Sequence, residues 1–288
     1  MLQKQFMASW VTIFLNQLET QLSLQAEPFI TFQFSSIGLD GFPSSRTVVY
    51  RGFLFNDESN NIITFTTDKR MDKYQQLLQN DKFEAVFYFN HVKTQFRFKG
   101  HAKVIDSEHK PLINLNNIQP RSVGESYDDE EDHEEDQLQL NLNKMDISAS
   151  QKPKTCQKSS IDYNLISPTL VNTNDNGSSL NLAELNIHPP TNEEYDIELQ
   201  RQWDNLSKNL KKSFRKPPPK SLMTPELSKK IDSINRGVDG KKDIDGFKNF
   251  SLVGLFIDHV DYYDGEHEKR YISERDEYDL WKETEVCP

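Results

Sequence analysis

The sequence of 288 residues predicts a mainly β, α+β fold in which an antiparallel sheet closes into a barrel flanked by helices. Three observations support this prediction. Short β-like runs follow one another between residues 29 and 105, an amphipathic helical pattern precedes them, and strand patterns return near the C-terminus. Closing a sheet of several short strands removes its unpaired edges, so we expect a barrel.

The β-like runs alternate apolar and polar side chains, as strands with one buried face do. The clearest case is 95–105, where Phe96 and Phe98 fall on one face of the strand and Arg97 and Lys99 on the other. One face should therefore pack in the core. The predicted strands are 29–34, 45–53, 61–67, 83–90, 95–105, 250–264 and 269–274, with Asp264-Gly265 as the turn between the last two.

An N-terminal amphipathic helix is predicted from an apolar stripe. Phe6, Trp10, Phe14 and Leu18 recur every four residues, close to the helical period. The segment lacks the flanking Lys and Arg of a helix that lies on a membrane surface. We therefore expect this stripe to pack in the core.

Two further helices are predicted. A short one occupies 68–80 and stops at Asn80. A longer one occupies 191–214, because Thr191 and Glu194 have the capping-box spacing at its start and a proline run follows its end.

A polar segment divides the chain. Residues 1–120 and 189–288 are predicted to build one barrel together, and 121–188 to be a disordered acidic insertion, because its apolar residues follow no regular period. The run 125–136 carries nine acidic residues and no Lys or Arg, and it accounts for most of the net charge of −11. It could bind a metal through its carboxylates and His133, but like-charged blocks are usually solvated, and we predict no metal site. We find no basic stripe, and we predict no nucleic-acid partner.

The cysteines and the hydropathy indicate the compartment. Cys156 and Cys287 are too few for a disulfide scaffold or a thiolate zinc site. The sequence has no apolar run long enough to span a membrane and no signal-peptide pattern. We expect a cytoplasmic protein with no membrane partner, and the nucleus is left open as a second compartment.

Two arginines interrupt the strand pattern of 45–53. Arg46 and Arg51 differ by an odd number of positions, so a regular strand would point them to opposite faces. They could be cations at the two exposed ends of a strand. If both bind one anion, the strand must end, bulge or lie at a barrel rim.

More cations favour the anion site. Thr66 and Thr67 end a predicted strand, and Lys69, Arg70 and Lys73 follow at the start of a helix, where free backbone amides also favour an anion. This arrangement resembles a phosphate site. The sequence contains no Walker loop and no G-x-G-x-x-G loop, so neither a nucleotide-triphosphate site nor a Rossmann fold is indicated.

Five motifs follow one another along the chain: "SRTVVYRGF", "TFTTDKRMDK", "FYFNHVKTQFRFKG", "HVDYYDGEHEKRY" and "LWKETEVCP". In this order they resemble the pyridoxamine 5'-phosphate oxidase family, and most closely its branch of FMN-binding-domain proteins from cyanobacteria and fungi. The resemblance covers roughly residues 6–110 and 190–288. It implies an FMN-binding split barrel, usually a homodimer with FMN at the subunit interface.

The resemblance also implies the site residues. Arg46 would lie at the flavin, and Arg51, where the family usually has lysine, nearer the substrate. Arg70 and Lys73 match the cations that hold the FMN phosphate, and arginine suits bidentate phosphate recognition. The implied FMN contacts are Arg46, Thr47, Val48, Val49, Arg51, Phe65, Thr66, Arg70, Lys73, Gln95, Ser207, Tyr263 and Arg270, and the implied substrate contacts are Arg51 and His267.

Departures from the family pattern affect the substrate site. Where the oxidase has an R-x-H motif, this chain has "EHEKRY", with His267 out of register. The resemblance implies an FMN-dependent oxidoreductase acting on pyridoxine or pyridoxamine phosphate or on another small substrate. The alternative is a non-catalytic flavin-binding or interaction protein. Because the flavin carries the chemistry in this family, no catalytic side chain is assigned.

Overall fold

The computed structural model describes residues 3–115, 160–172 and 187–288. Its strands are β1 (Thr31–Ile37), β2 (Pro43–Val49), β3 (Ile62–Asp68), β4 (Lys82–Phe89), β5 (Thr94–Ile105), β6 (Ile113–Asn114), β7 (Ile161–Asp162), β8 (Phe250–Asp264), β9 (Lys269–Arg275) and β10 (Trp281–Val286). Its helices are α1 (Ser9–Leu24), α2 (Asp72–Gln79), α3 (Pro168–Asn172), α4 (Asn192–Asp204), α5 (Lys208–Ser213) and α6 (Pro225–Arg236). No helix within these ranges has the length and apolar character needed to cross a bilayer.

Antiparallel strands close into a barrel in the order β2, β1, β4, β5, β8 and β3. The chain beyond β2 completes the ring, because the Arg51 amide donates to the Thr64 carbonyl and the Thr64 amide to the Gly52 carbonyl, both at 2.9 Å. β8 is 15 residues long. Its first half lies between β3 and β5, and its second half between β5 and β9. The predicted antiparallel barrel with flanking helices is confirmed, and it is split along β8.

A bulge lies in the middle of β8. The pairing with β5 shifts between Lys99 and Gly100, which leaves Asp258 of β8 as the extra residue. Gly100 has φ +155°, and a Cβ there would lie 2.1 Å from the carbonyl oxygen of Phe256. Glycine is required at this position because no side chain fits against that backbone.

The N-terminal helix packs against the barrel as the apolar stripe predicts. Trp10, Phe14 and Leu18 are buried in α1, whereas Phe6 lies in the 3₁₀ turn before the helix. The ring of Phe14 makes edge-to-face contacts with three phenylalanines of β4 and β5, at centroid distances of 5.0, 5.3 and 5.6 Å. Such aromatic pairs add to the stability that burial itself provides.

The segment predicted as one helix at 191–214 forms two helices, α4 and α5. The predicted capping box of Thr191 and Glu194 is present. The helix breaks after α4, and the hydroxyl of Ser207 accepts a hydrogen bond from the Leu210 amide to start α5. Ser207 thus acts as a second N-cap, a role that serine favours and that the apolar pattern alone did not reveal. The helix α6 was not predicted.

Part of the predicted insertion belongs to the folded domain. β7 pairs in parallel with β6, and Tyr163 and Leu165 are buried in a second core that α4 and β8 share. The buried side chain of Gln3 donates to the Asn164 carbonyl at 2.8 Å and accepts from the Ile166 amide at 3.0 Å. The prediction that all of 121–188 is disordered is therefore wrong for 160–172, whose few apolar residues pack despite their irregular spacing.

The remaining residues of that predicted insertion lie largely outside the described ranges. They include the acidic run 125–136 and Cys156. The other cysteine, Cys287, is exposed and free.

Two deletions should test whether 160–172 contributes to the core. Replacing 116–159 by a twelve-residue Gly/Ser linker keeps every described residue, and it is expected to lower the free energy of unfolding by much less than deletion of 121–188 does. Deleting 121–188 removes Tyr163 and Leu165, and burial of each such side chain is worth roughly 1.5–3 kcal/mol. Urea denaturation of both variants measures the difference. Equal stabilities would contradict the assignment of 160–172 to the core.

Candidate functional site

The N-terminus of α2 presents unpartnered backbone amides. The side chain of its N-cap residue, Met71, accepts no capping hydrogen bond, and the amides of Asp72 and Lys73 form no hydrogen bond within the described part of the chain. The Met71 sulfur instead accepts from the Lys73 ammonium at 2.9 Å. Such amides, together with the helix dipole, attract an anion. The carboxylate of Asp72 pairs with exposed Lys220, so it lies at this end without covering the amides by a hydrogen bond.

Arg46 of β2 is fixed beside this helix end by neutral acceptors. Its guanidinium donates to the hydroxyls of Ser36 at 2.6 Å and Ser44 at 2.7 Å, and to the Gln76 side-chain oxygen at 2.8 Å. It also lies 5.7 Å from the ring centre of Phe34. Among the described residues, no carboxylate comes within 4 Å of it. The cation is therefore held rigidly without being neutralised.

Lys73 adds a second cation, and no carboxylate of the described residues lies within 4 Å of it. Burial, followed by the nearby charge of Arg46, lowers the pKa of Lys73 to about 8. Burial also lowers the pKa of Arg46, although the charge of Asp72 acts in the opposite direction. Two partly buried cations that destabilise one another are a favourable place for an anion, which would stabilise both charges.

Arg51 lies beyond the end of β2, which stops at Val49. The alternation of a regular strand therefore does not constrain its direction. Its side chain is half-buried, and its Nε atom is buried without a hydrogen-bond partner in the described ranges. Burial lowers the pKa of Arg51. This side chain is also available to an anionic group.

Arg70 has a different environment. Its guanidinium donates twice to the carboxylate of Asp68, at 2.8 and 2.6 Å, and to the carbonyls of Lys216 at 2.7 Å and Phe214 at 3.1 Å. Asp68 is only 5% exposed. Arg70 therefore joins the end of β3 to the end of α5 and neutralises a buried carboxylate.

The other implied residues of β2 and β3 divide between the two faces of the barrel wall. Val48 is buried toward the interior, whereas Thr47 is exposed and Val49 is half-buried. The ring of Phe65 packs inside the barrel against other phenylalanines, and Thr66 is half-buried on the opposite face. The ring of Phe65 is therefore part of the core.

Gln95, Tyr263 and Arg270 form a row across three neighbouring strands. Gln95 of β5 pairs with Tyr263 of β8, and Tyr263 pairs with Arg270 of β9. Neighbouring strands lie about 4.8 Å apart, so the three side chains stand next to one another. Arg270 donates twice to the carboxylate of Asp261, at 2.8 and 2.6 Å, which holds it against the sheet.

Tyr88 extends this row, and the sequence analysis missed it. It lies opposite Gln95 on β4 and is 58% exposed. The short hairpin between β4 and β5 is the sequence signal that could have identified Tyr88, because its register places Tyr88 opposite Gln95.

Within one chain the implied residues form separate groups. Arg46 and Lys73 lie together at α2, whereas the row of Gln95 begins three strands away from β2, on the outer face of the sheet. Ser207 is exposed at the start of α5. His267 lies in the β8–β9 turn, where its Nδ1 is 2.8 Å from a carboxylate oxygen of Asp264. We call Arg46, Lys73 and the N-terminal amides of α2 the α2 site. Neither Ser207 nor His267 has a described contact with it.

Comparison with known proteins identifies the fold and the family. Residues 7–106 match the FMN-binding domain of the pyridoxamine 5'-phosphate oxidase family. The chain is 31% identical over 307 residues to the uncharacterized protein YGR017W of Saccharomyces cerevisiae, an alignment that covers 98% of this chain and 99% of the yeast protein. It is 34% identical over 108 residues to pyridoxine/pyridoxamine 5'-phosphate oxidase 2 of Arabidopsis thaliana, covering 38% of this chain and 52% of that protein.

Solved structures show the same architecture. A pyridoxamine 5'-phosphate oxidase-related, FMN-binding protein of Nostoc punctiforme has a TM-score of 0.59 at 19% identity, covering 98% of both chains. PhzG of Burkholderia lata, solved with tetrahydrophenazine-1-carboxylic acid, has a TM-score of 0.55 at 13% identity, covering 96% of this chain and 92% of that one. The fold is therefore the FMN-binding split barrel. The chain belongs to the pyridoxamine 5'-phosphate oxidase family, as its motifs predict.

Proposed function

We propose that this protein binds FMN and is a flavin-dependent oxidoreductase acting on a small anionic substrate, with pyridoxine or pyridoxamine phosphate as the first compounds to test. The observation that carries the proposal is the α2 site. In the described part of the chain, Arg46 and Lys73 have no carboxylate contact there, and two backbone amides beside them have no hydrogen-bond partner. A phosphate monoester supplies the negative charge and the acceptor oxygens that this arrangement lacks.

The residues present fit the phosphate of FMN. Arg46 has a fixed guanidinium whose Nε makes no hydrogen bond to the described residues, and Lys73 provides a point charge at the helix end. The implied contact of Arg70 with the phosphate stays a prediction, because its described hydrogen bonds already engage three of its nitrogens. Arg46 and Lys73 are thus the main phosphate ligands in this proposal.

A homodimer would bring the two groups of residues to one ligand. The row of Gln95, Tyr263 and Arg270 faces outward, as a surface that contacts a second copy must. We propose that this row from one subunit completes the site formed by Arg46 and Lys73 of the other. The family's usual dimer, with FMN at the interface, supports this arrangement.

Bound FMN would supply hydride transfer through its ring system. The chain's own residues would bind and orient. Arg46 and Lys73 would fix the phosphate, Gln95 would offer its amide to the edge of the flavin, and the unpaired side chain of Arg51 would attract an anionic group of the substrate. None of these roles requires a general base.

A non-catalytic flavin-binding protein is the second candidate. His267 is engaged by Asp264 in an exposed turn, and it does not contact Arg51. Anaerobic mixing of the FMN-loaded protein with pyridoxamine 5'-phosphate separates the two candidates. Bleaching of the flavin absorption supports an oxidase, whereas unchanged absorption with this and other small phosphorylated amines supports the non-catalytic alternative.

The pKa of Lys73 predicts a pH dependence of FMN affinity. The free protein holds Lys73 with a pKa of about 8, and a neighbouring phosphate would raise it. Affinity should therefore be highest below pH 8, where Lys73 is protonated, and should fall by at most about tenfold per pH unit as the pH rises through that value. Fluorescence titration between pH 7 and 9.5 measures this. In Lys73→Arg, whose side chain stays charged, FMN affinity should no longer depend on pH in this range. A variant whose affinity falls with pH as that of the wild type does would contradict the assignment.

A further inference from the structure

Residues 208–248 carry a concentration of positive charge that the sequence analysis overlooked. They contain twelve Lys and Arg and five Asp and Glu, a net charge of +7 in a chain whose total is −11. The cations are spread over α5, α6 and their connections, so no short run marks them as a basic stripe. The structure gathers these elements on one side of the second core.

Contacts between α5, α6 and their connections bring these cations together on one surface. Lys212 of α5 donates to the carbonyl of Asn235 at the end of α6 at 3.0 Å, and Arg215 donates to the carbonyl of Lys241 at 2.6 Å. α5 also packs against the 3₁₀ turn Asp243–Asn249. We call the exposed cations of 208–248 the α5–α6 basic surface. They are Lys208, Lys220, Lys229, Lys230, Arg236, Lys241, Lys242 and Lys248.

Few of the twelve cations of this region are neutralised. Only Arg215, 3.7 Å from Asp239, and Lys220, paired with Asp72, have a carboxylate within 4 Å in the described part of the chain. Lys211, Lys212 and Arg236 lie in the last turns of helices, where cations offset the helix dipole. Most of the exposed cations of this region therefore have no carboxylate partner among the described residues.

We propose that the α5–α6 basic surface binds the chain's own acidic run, residues 125–136. The nine carboxylates of this run complement the cations in sign and number. The proposal does not rest on FMN binding, since none of the residues assigned to the phosphate belongs to this surface. The surface meets the N-terminus of α2 only at Lys220, which pairs with Asp72, in the described part of the chain.

The geometry allows the run to reach the surface. Lys110, five residues before the described range ends at Leu115, pairs with Asp196 of α4 at 2.8 Å. From Asp196, α4 continues toward α5, and eight helical residues span about 12 Å. The nine residues 116–124 can extend roughly 30 Å. Leu115 lies at most about 17 Å from Lys110, so even the longest path to the end of α4, which precedes α5, is about as long as this linker. The run therefore begins within reach of the end of α4.

A tethered partner is also favoured over an external polyanion. A segment joined by a short linker has an effective concentration in the millimolar range, so it competes strongly for a surface in the same molecule. The acidic total charge further opposes a nucleic acid, whose phosphates would be repelled by the run.

Zero-length carbodiimide cross-linking of the full chain, read by mass spectrometry, tests the proposal. Carboxylates of 125–136 should join lysines of 208–248 at 20 mM salt, and these products should disappear at 1 M salt, where screening is strong. Replacing Lys208, Lys241, Lys242 and Lys248 by glutamine should lower the yield at the remaining lysines of the surface at least fivefold. The control replaces exposed Lys82, Lys99, Lys269 and Lys282 and should leave the yield unchanged. Equal cross-linking to lysines elsewhere, or insensitivity to salt, overturns the proposal.

A DNA-binding measurement tests occupancy of the surface separately. Replacing the nine acidic residues of 125–136 by their amides should strengthen binding of a fluorescent 20-base-pair DNA at least tenfold, because both the competing segment and its repulsion of the DNA are lost. Equal DNA affinity of the two full-length proteins would show that the run does not occupy the surface.

Discussion

Replacing Arg46 by glutamine is expected to weaken FMN binding by about 10- to 100-fold, because a hydrogen bond to a charged group contributes roughly 1.5–3 kcal/mol. The reason is the placement of the side chain. Ser36, Ser44 and Gln76 fix the guanidinium without neutralising it, so its charge is available to a phosphate. The measurement is the dissociation constant of FMN from fluorescence titration at pH 7.

Two controls make this expectation specific. Arg46→Lys keeps the charge but loses the planar donor pair, so its affinity should lie between those of the wild type and Arg46→Gln. Lys82→Gln removes one exposed cation of β4 that has no described contact with the α2 site, and it should bind FMN as the wild type does. Similar losses in Arg46→Gln and Lys82→Gln would mean that overall charge, not this site, determines affinity.

Replacing Arg70 by glutamine is expected to lower the free energy of unfolding by about 3 kcal/mol, the cost of leaving a buried carboxylate without its partner. Asp68 is buried, and Arg70 supplies two of its hydrogen bonds from the guanidinium and a third from its amide. The same substitution breaks the link to the carbonyls at the end of α5. Urea denaturation measures the loss.

The double variant Asp68→Asn, Arg70→Gln identifies the cause. If the buried charge dominates, removing it should restore part of the stability lost in Arg70→Gln. No recovery would assign the loss to the contacts with α5 instead. FMN affinity in Arg70→Gln should change much less than in Arg46→Gln, and a larger change would place Arg70 at the phosphate, as the family resemblance implies.

The barrel was predictable because its strands carry a strong local signal. The alternation of 95–105 and the apolar stripe of α1 follow directly from burial of one face, and both are confirmed. The segment 160–172 was missed because a few apolar residues without a period can still pack when partners distant in sequence, such as Gln3, hold their backbone.

The candidate site was predictable in composition but not in arrangement. The parity of Arg46 and Arg51 showed that a regular strand could not aim both at one anion, and the structure ends β2 at Val49, before Arg51. Charge pairing was not visible in the sequence. Asp68 lies two residues before Arg70, yet only the fold shows that it engages Arg70, whereas Asp72 pairs with Lys220 and leaves Lys73 without a described carboxylate contact.

Titration of the purified wild type and of the double variant Arg46→Gln, Lys73→Gln with FMN tests the central claim most directly. The wild type should quench FMN fluorescence at a stoichiometry of one per chain. The double variant, with a cooperative unfolding transition like that of the wild type, should bind at least about 100-fold more weakly, because two charged contacts are lost. A folded double variant that binds FMN as tightly as the wild type would contradict the assignment of the phosphate to the N-terminus of α2.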